Sequence, residues 1–243
     1  ARPPTLRLID LRGQRLTGGV GAAALSAIVD TLARSEQVLV FRNRRGYAPV
    51  LACTACGQWH GECPRCDHAM TVHRRLSLLI CHRCGWRRPI PDRCPACSST
   101  ALDARGVGTE RIESELQAHY PRHRVIRIDR DSARSTAQLD AALADVEGGD
   151  PAILVGTQLL AKGHDWPHLT LVVIADADNG LYSPDFRAPE RLAQLLTQVA
   201  GRAGRGERPG TVLVQTRQPE HAFWSRWMTG GYPSVATVEL AER

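Results

Sequence analysis

The chain has 243 residues, 43% of them hydrophobic and 23% charged, with a formal net charge of +6, enough for one α/β domain plus a small module or for two small domains. No apolar run is long enough to span a bilayer, so a soluble, cytoplasmic protein with no membrane partner is expected. Lys162 is the only lysine. A GC-rich genome favours arginine codons, and arginine's planar fork also suits phosphate and base contacts. A P-loop needs G-x-x-x-x-G-K-[ST], and Lys162 stands in Leu160-Ala-Lys-Gly-His164, where no such loop can be drawn. Any nucleotide chemistry is then shared with another segment.

Taken in order, Leu6 to Asp10 alternates like a short strand, and Ala22 to Arg34 carries Leu25, Ile28, Val29 and Leu32 at helical spacing. Gly19-Val-Gly21 between them imitates a dinucleotide fingerprint, but Arg12 to Gly18 separates it from the strand. A flexible loop leading into a helix is the better reading. Val38 to Phe41 is a buried strand, and Asn43, Arg44, Arg45 and Tyr47 follow it. Ligands of open α/β sheets gather at that end of a strand, so these side chains are candidates to meet a charged ligand.

All eight cysteines then fall between Cys53 and Cys97, as the C-x-x-C pairs Cys53/Cys56, Cys63/Cys66, Cys81/Cys84 and Cys94/Cys97. Each pair presents two thiolates to one tetrahedral cation, so together they supply two Cys₄ zinc sites. A disulfide framework suits small secreted domains instead, and a redox C-x-x-C is expected once rather than four times. Eight thiolates around two Zn²⁺ would lower the net charge by about four. Met70 to Ile80 holds two β-prone runs around Arg74-Arg75, the hairpin of a zinc ribbon. That groups Cys63, Cys66, Cys81 and Cys84 in an inner site and leaves Cys53, Cys56, Cys94 and Cys97 for an outer one. Pairing of consecutive knuckles is the alternative, and the spacing does not exclude it. His60, His68, His73 and His82 are read as solvent-facing. Trp59 and Trp86 are read either as stacking platforms for unpaired bases or as packing over the metal-bound core.

Beyond the knuckles, Gly106-Val-Gly-Thr-Glu110 opens a helix over Arg111 to Tyr120 with Thr109 as N-cap. Such a glycine-rich helix start suits a phosphate of a nucleic-acid backbone, with Gly108 and Thr109 as contacts. Arg124 to Ile128 is a strand, Gln138 to Val146 an amphipathic helix, and Ala152 to Val155 a strand running into Gly156-Thr157. Thr170 to Ile174 is a central strand ending in Asp176-Ala-Asp178, which looks like a Walker B box without its Asp-Glu pair and is read as loop-capping or coupling. Ala188 to Ala203 is helical, Thr211 to Gln215 is the last clear strand, and Glu220 to Met228 is a Trp-rich helix. Strands alternating with helices imply an α/β fold, a parallel sheet covered on both faces.

At Gly156 to Pro167 and Gln198 to Arg205 the sequence resembles the superfamily 2 helicases, where these stretches correspond to motifs V and VI of the second RecA-like lobe. The cysteines, Asn43 to Tyr47, Gly106 to Glu110 and Asp185 to Glu190 narrow the resemblance to the PriA family of primosomal replication-restart helicases. It implies a RecA-like, P-loop-NTPase-like C-terminal lobe in 1–50 and 101–228, a two-zinc insertion in 51–100, and the start of a linker in 229–243. It also implies a larger protein whose other lobe carries the P-loop and acidic box. The chain by itself is expected to hydrolyse no ATP.

What the resemblance implies for mechanism is an ATP-dependent 3′–5′ DNA helicase that remodels abandoned replication forks. ATP and Mg²⁺ would sit between the lobes, with Arg202 and Arg205 reaching across as arginine fingers and Gln198 reading the nucleotide or the lobe interface. An arginine supplied in this way is worth on the order of 10³-fold or more in rate. A helix C-terminal cap is the plainer role for both arginines. Thr157 would hold strand phosphates, and Lys162 and His164 would couple that grip to the nucleotide. Implied partners are single-stranded and forked DNA, primosome proteins, single-stranded-DNA-binding protein and the replicative helicase loader, in a nucleoid-associated setting. The competing reading is a non-catalytic zinc-ribbon module for DNA or protein on a silent α/β scaffold; a weaker one is an RNA-binding zinc protein.

Overall fold

The computed structural model describes residues 3–241 apart from 44–49, 59, 67–69, 74–76, 82–83, 106–108, 130–131, 133–135, 158–165, 176, 182–186 and 207. In chain order the elements are β1 (Thr5–Asp10), α1 (Ala22–Ala33), β2 (Gln37–Phe41), β3 (Val50–Cys53), β4 (Thr71–His73), β5 (Leu78–Ile80), β6 (Arg87–Pro89) and β7 (Leu102–Arg105). There follow α2 (Thr109–His119), β8 (Arg124–Ile128), α3 (Thr136–Glu147), β9 (Ala152–Gly156), β10 (Leu169–Ile174), a 3-10 turn (Asp178–Gly180), α4 (Ala188–Ala200), β11 (Thr211–Thr216) and α5 (Ala222–Ala241).

Six strands form one parallel sheet in the order β1-β11-β10-β2-β9-β8. The central β2, β9 and β10 are buried at every residue, which their unbroken Val, Leu and Ile runs dictate. A strand covered on both faces has no solvent side and shows no alternation. On one face Ile28 and Leu32 of α1 and Ile112 and Leu116 of α2 pack on Val38, Val40, Ile153 and Val155. The other face carries α3, α4 and α5, with Val146, Leu192, Leu196, Trp224 and Trp227 over Leu39, Leu154 and Val172. Each such fully buried side chain contributes about 1.5–3 kcal/mol relative to exposure.

The loop from Gly18 to Gly21 does lead into α1, but it is packed rather than loose. The buried Gln215 side chain accepts from the Gly21 amide at 2.8 Å and donates to the Gly19 carbonyl at 3.1 Å. Thr109, expected as an N-cap, is instead the first residue of α2. The helix expected over 220–228 continues to Ala241, across a break at Gly231 (φ 62°) before Pro233. Among the described residues no helix is long and apolar enough to cross a membrane.

Between β2 and α2 the chain leaves the sheet. β3 and β7 pair antiparallel where it departs and returns, with Cys53 opposite Leu102. Inside them lies the three-stranded sheet β4-β5-β6. The hairpin expected over 70–80 is present as the β4–β5 pair, Thr71 opposite Ile80, and Arg74-Arg75 lies outside the described residues.

Candidate metal centres and nucleic-acid interface

The eight thiols converge on two points, and the grouping is nested. Cys53, Cys56, Cys94 and Cys97 form one cluster and Cys63, Cys66, Cys81 and Cys84 the other, with all sulfurs of a cluster within 4.8 Å of one another. Opposed sulfurs lie 3.6 and 3.7 Å apart in the outer cluster and 3.5 and 3.6 Å in the inner one. Four sulfurs about 2.3 Å from a tetrahedral zinc sit about 3.8 Å from each other, so both donor sets fit one Zn²⁺ each.

The knuckles are built by a repeated backbone pattern. The amides of Gly57, Gly85 and Ser98 bond back to the carbonyls of Cys53, Cys81 and Cys94 at 3.0, 2.9 and 2.8 Å, and the amides of those cysteines reach Gln58, Trp86 and Ser99 at 2.9, 2.8 and 2.8 Å. The turn requires a left-handed residue after the second cysteine, and Gly57, Gly85 and Ser98 have φ of 80°, 76° and 57°. These residues escaped the sequence reading, although a small residue after each of these three knuckles was the available signal. Burial opposes ionisation of Cys53, but the backbone amides of Cys56 and Ala55 directed at its sulfur outweigh it and bring the thiol to about 7.

His60 is not solvent-facing as expected: its Nε2 lies 3.0 Å from Cys94 Sγ, and burial together with the nearby Arg88 charge holds its pKa below the ordinary value. Trp86 packs against the cluster of Leu51, Met70, Val72 and Leu79 over the inner site, the second of the two roles considered for it. Trp59, His68 and His82 lie outside the described residues, as does the His73 side chain.

The remaining candidates fall at the two ends of the parallel sheet. At the carboxyl end, the Arg42 amide bonds the Gly156 carbonyl at 2.8 Å, joining the ends of β2 and β9. Asn43 stands two residues past β2 and Thr157 directly after β9, and both are mostly buried. At the end of the neighbouring β8, the Thr109 hydroxyl donates to the buried Asp129 carboxylate, which also accepts from the Ser132 amide at 2.8 Å. Thr109 is only 1% exposed, and its hydroxyl is committed to Asp129. Asn43 and Thr157 thus stand past adjacent strand ends, with Thr109 at the start of α2 against the end of β8, while Arg44, Arg45, Tyr47, Gly108, Lys162 and His164 lie outside the described residues. Asp178 has the capping role read for it: its carboxylate accepts from the Thr216 hydroxyl and from the Arg217 amide. Asp176 lies outside the described residues.

α4 runs back across the sheet, so Arg202 and Arg205 come to the amino ends of the strands, where the Gly204 amide bonds the Leu169 carbonyl at 2.9 Å. Strands of five or six residues separate the two groups by about 17–20 Å. Gln198 is exposed on α4 and Arg202 is buried. Arg205 is exposed, and its Nε donates to the Gly201 carbonyl at 2.8 Å at the end of α4.

Residues 63–89 match the PriA DNA helicase Cys-rich region (CRR) domain, and residues 107–207 match the helicase conserved C-terminal domain. The chain is 44% identical over 236 residues to the replication restart protein PriA of Haemophilus influenzae, covering 97% of this chain and 32% of that protein. Over nearly its whole length the chain is similar to members of the PriA family. The Bacillus subtilis member is 40% identical over 99% of this chain and 30% of its own length. The Chlamydia pneumoniae member is 39% identical over 100% and 33%. The chain therefore spans about a third of the length of the curated relatives it matches. The match to 107–207 includes Thr157, Lys162, Gln198, Arg202 and Arg205, and the match to 63–89 begins at Cys63 and takes in the whole inner metal set.

Proposed function

We propose that this chain is the second motor lobe of an ATP-dependent 3′–5′ DNA helicase that acts at abandoned replication forks and promotes primosome assembly. The observation that carries this reading is the division of the sheet into two ends, with Thr157 at one and Arg202 and Arg205 at the other, all three inside the stretch that matches a helicase C-terminal domain. Asn43, Thr157 and the backbone at Gly108 and Thr109 contact the phosphates of a tracked single strand at the carboxyl end, joined by Arg44, Arg45, Tyr47, Lys162 and His164. Arg202 and Arg205 stand at the amino end, where they meet ATP and Mg²⁺ held by a preceding lobe, with Gln198 beside them. The motor lobe comprises 1–50 and 101–228, the zinc insertion 51–100, and 229–243 leads toward a further domain. Single-stranded and forked DNA, primosome proteins, single-stranded-DNA-binding protein and the replicative helicase loader are the partners, in a cytoplasmic, nucleoid-associated setting.

Both arginines are read as fingers, although Arg205 also caps α4 through the Gly201 carbonyl and Arg202 is buried. In a protein carrying both lobes, Arg202→Ala and Arg205→Ala are each expected to lower DNA-stimulated ATP hydrolysis on the order of 10³-fold. Normal turnover in both variants would refute the finger assignment. A protein that binds forks and recruits partners with no nucleotide dependence would instead support the scaffold reading.

A further inference from the structure

Arg217 is the first residue past β11, at the carboxyl end of the sheet. It is only 6% exposed, its Nε is buried without a hydrogen-bond partner, and no ion pair among the described residues includes it. Among the described residues, the carboxylates of this corner have other donors than the Arg217 guanidinium. Asp178 accepts from the Arg217 amide at 2.8 Å and from the Thr216 hydroxyl. Asp10 and Glu220 both hold Arg12, at 2.6 and 2.8 Å. A guanidinium withdrawn from water without a directly paired carboxylate costs stability, and an anion that reaches it offsets that cost.

The position of Arg217 says which anion. The outer zinc knuckle sits directly on it: a Cβ on Gly57 would lie 2.7 Å from the Arg217 carbonyl and 3.4 Å from its Cβ. Gln218 Nε2 donates to the Gly57 carbonyl at 3.4 Å, and the Gly13 amide to the Thr54 carbonyl at 3.2 Å. Arg217 therefore lies in the seam between the zinc insertion and the sheet. It is also in line with the strand ends that carry Asn43 and Thr157: β11 is separated from β2 by β10 alone, about 10 Å at the usual strand spacing.

We propose that Arg217 binds a phosphate of the nucleic-acid backbone, extending the phosphate track of the carboxyl edge into the seam beneath the outer zinc knuckle. A guanidinium suits this ligand because its fork meets two phosphate oxygens at once. The proposal rests on the reading of that edge as a nucleic-acid interface. Inorganic phosphate offers the same oxygens, so the test uses both sources.

Thermal melts of the zinc-loaded chain compare wild type with Arg217→Met, alone, with a thymidine oligonucleotide of about 20 nucleotides, and with inorganic phosphate at matched phosphate concentration. Without anion, Arg217→Met is expected to melt about 2–4 °C above wild type. The oligonucleotide is expected to stabilise wild type more than the variant, and the slope of log affinity against log salt to fall by about 0.7 in the variant. Equal stabilisation of both proteins by the oligonucleotide would overturn the role of Arg217 and leave the interface reading intact. Stabilisation of wild type by phosphate but not by the oligonucleotide would overturn the nucleic-acid source and the interface reading with it. No shift with either anion would overturn the site. Should Arg217→Met not fold, Arg217→Lys keeps the charge without the fork and is expected to bind the oligonucleotide about threefold or more weakly; unchanged affinity would overturn the proposal.

Discussion

Glu36 is a buried carboxylate at the amino end of the sheet, and its partners tie the segment behind Arg202 and Arg205 to the core. It accepts from the Thr170 hydroxyl at 2.6 Å and from Arg208 at 2.8 Å, and pairs with Arg34 at 3.1 Å. Burial works against its ionisation, but the Thr170, Arg34 and Arg208 donors prevail and hold it below the usual glutamate range. Its contribution to stability is then complete above the unfolded value of about 4.3 and is lost as pH falls through the lower folded value. Glu36→Gln is expected to cost about 1–3 kcal/mol at neutral pH, with the difference from wild type shrinking in acid. Melting curves of both proteins from neutral pH into acid check this; because both carry the same zinc ligands, thiolate protonation cancels in the difference. A constant gap across the range would refute it.

At the scale of elements, the knuckles show how a local rule becomes a docking surface. Gly57 and Gly85 both need the left-handed backbone, with φ of 80° and 76°, and a side chain there costs about 1–2 kcal/mol. They differ in what a Cβ would meet: nothing within 4 Å at Gly85, but the Arg217 carbonyl at 2.7 Å at Gly57. Gly85→Ala is therefore expected to show the backbone cost alone. Gly57→Ala adds a clash that pushes the zinc insertion off the sheet edge. Hydrogen exchange at the Gly13 amide, which bonds the Thr54 carbonyl of the knuckle, separates the two, since only Gly57→Ala should accelerate it; equal exchange in both variants would show that the knuckle does not bear on the lobe.

For the whole molecule, nesting makes the two metals unequal. The outer site closes the β3–β7 stem where the insertion leaves the lobe, and the inner site holds only β4, β5 and β6. Combined Cys63→Ser and Cys81→Ser exchange is expected to loosen β4 to β6 while β3, β7 and the six-stranded sheet keep their protection. Chelation of both metals is expected to release residues 53–97 and still leave the parallel sheet folded, because its core of Leu39, Leu154, Val172 and Trp224 draws nothing from the insertion. Hydrogen exchange with and without chelator reads both outcomes; collapse of the sheet on chelation would mean that the zincs hold the whole chain.

Much of this was legible in one dimension. The central strands were, because β2, β9 and β10 are continuous apolar runs. So were the ligands, because zinc demands thiolates at knuckle spacing whatever surrounds them. The short β3, β6 and β7 were not, since three or four residues carry too little pattern to declare a strand. His60 was misjudged because its approach to Cys94, 34 residues away, depends on how the outer knuckles are stacked.

The sequence by itself determined the alternation of strand and helix, the two sets of thiolates and the presence of helicase motifs, all of which depend on near neighbours in the chain. Only the tertiary structure decided the nested pairing of the knuckles, the separation of the phosphate-contact candidates from Arg202 and Arg205, and the burial of Arg217 beneath Gly57. Those rest on strand order and on contacts such as Gly57 with Arg217, between residues far apart in the chain that the packing of the sheet and its insertion brings together.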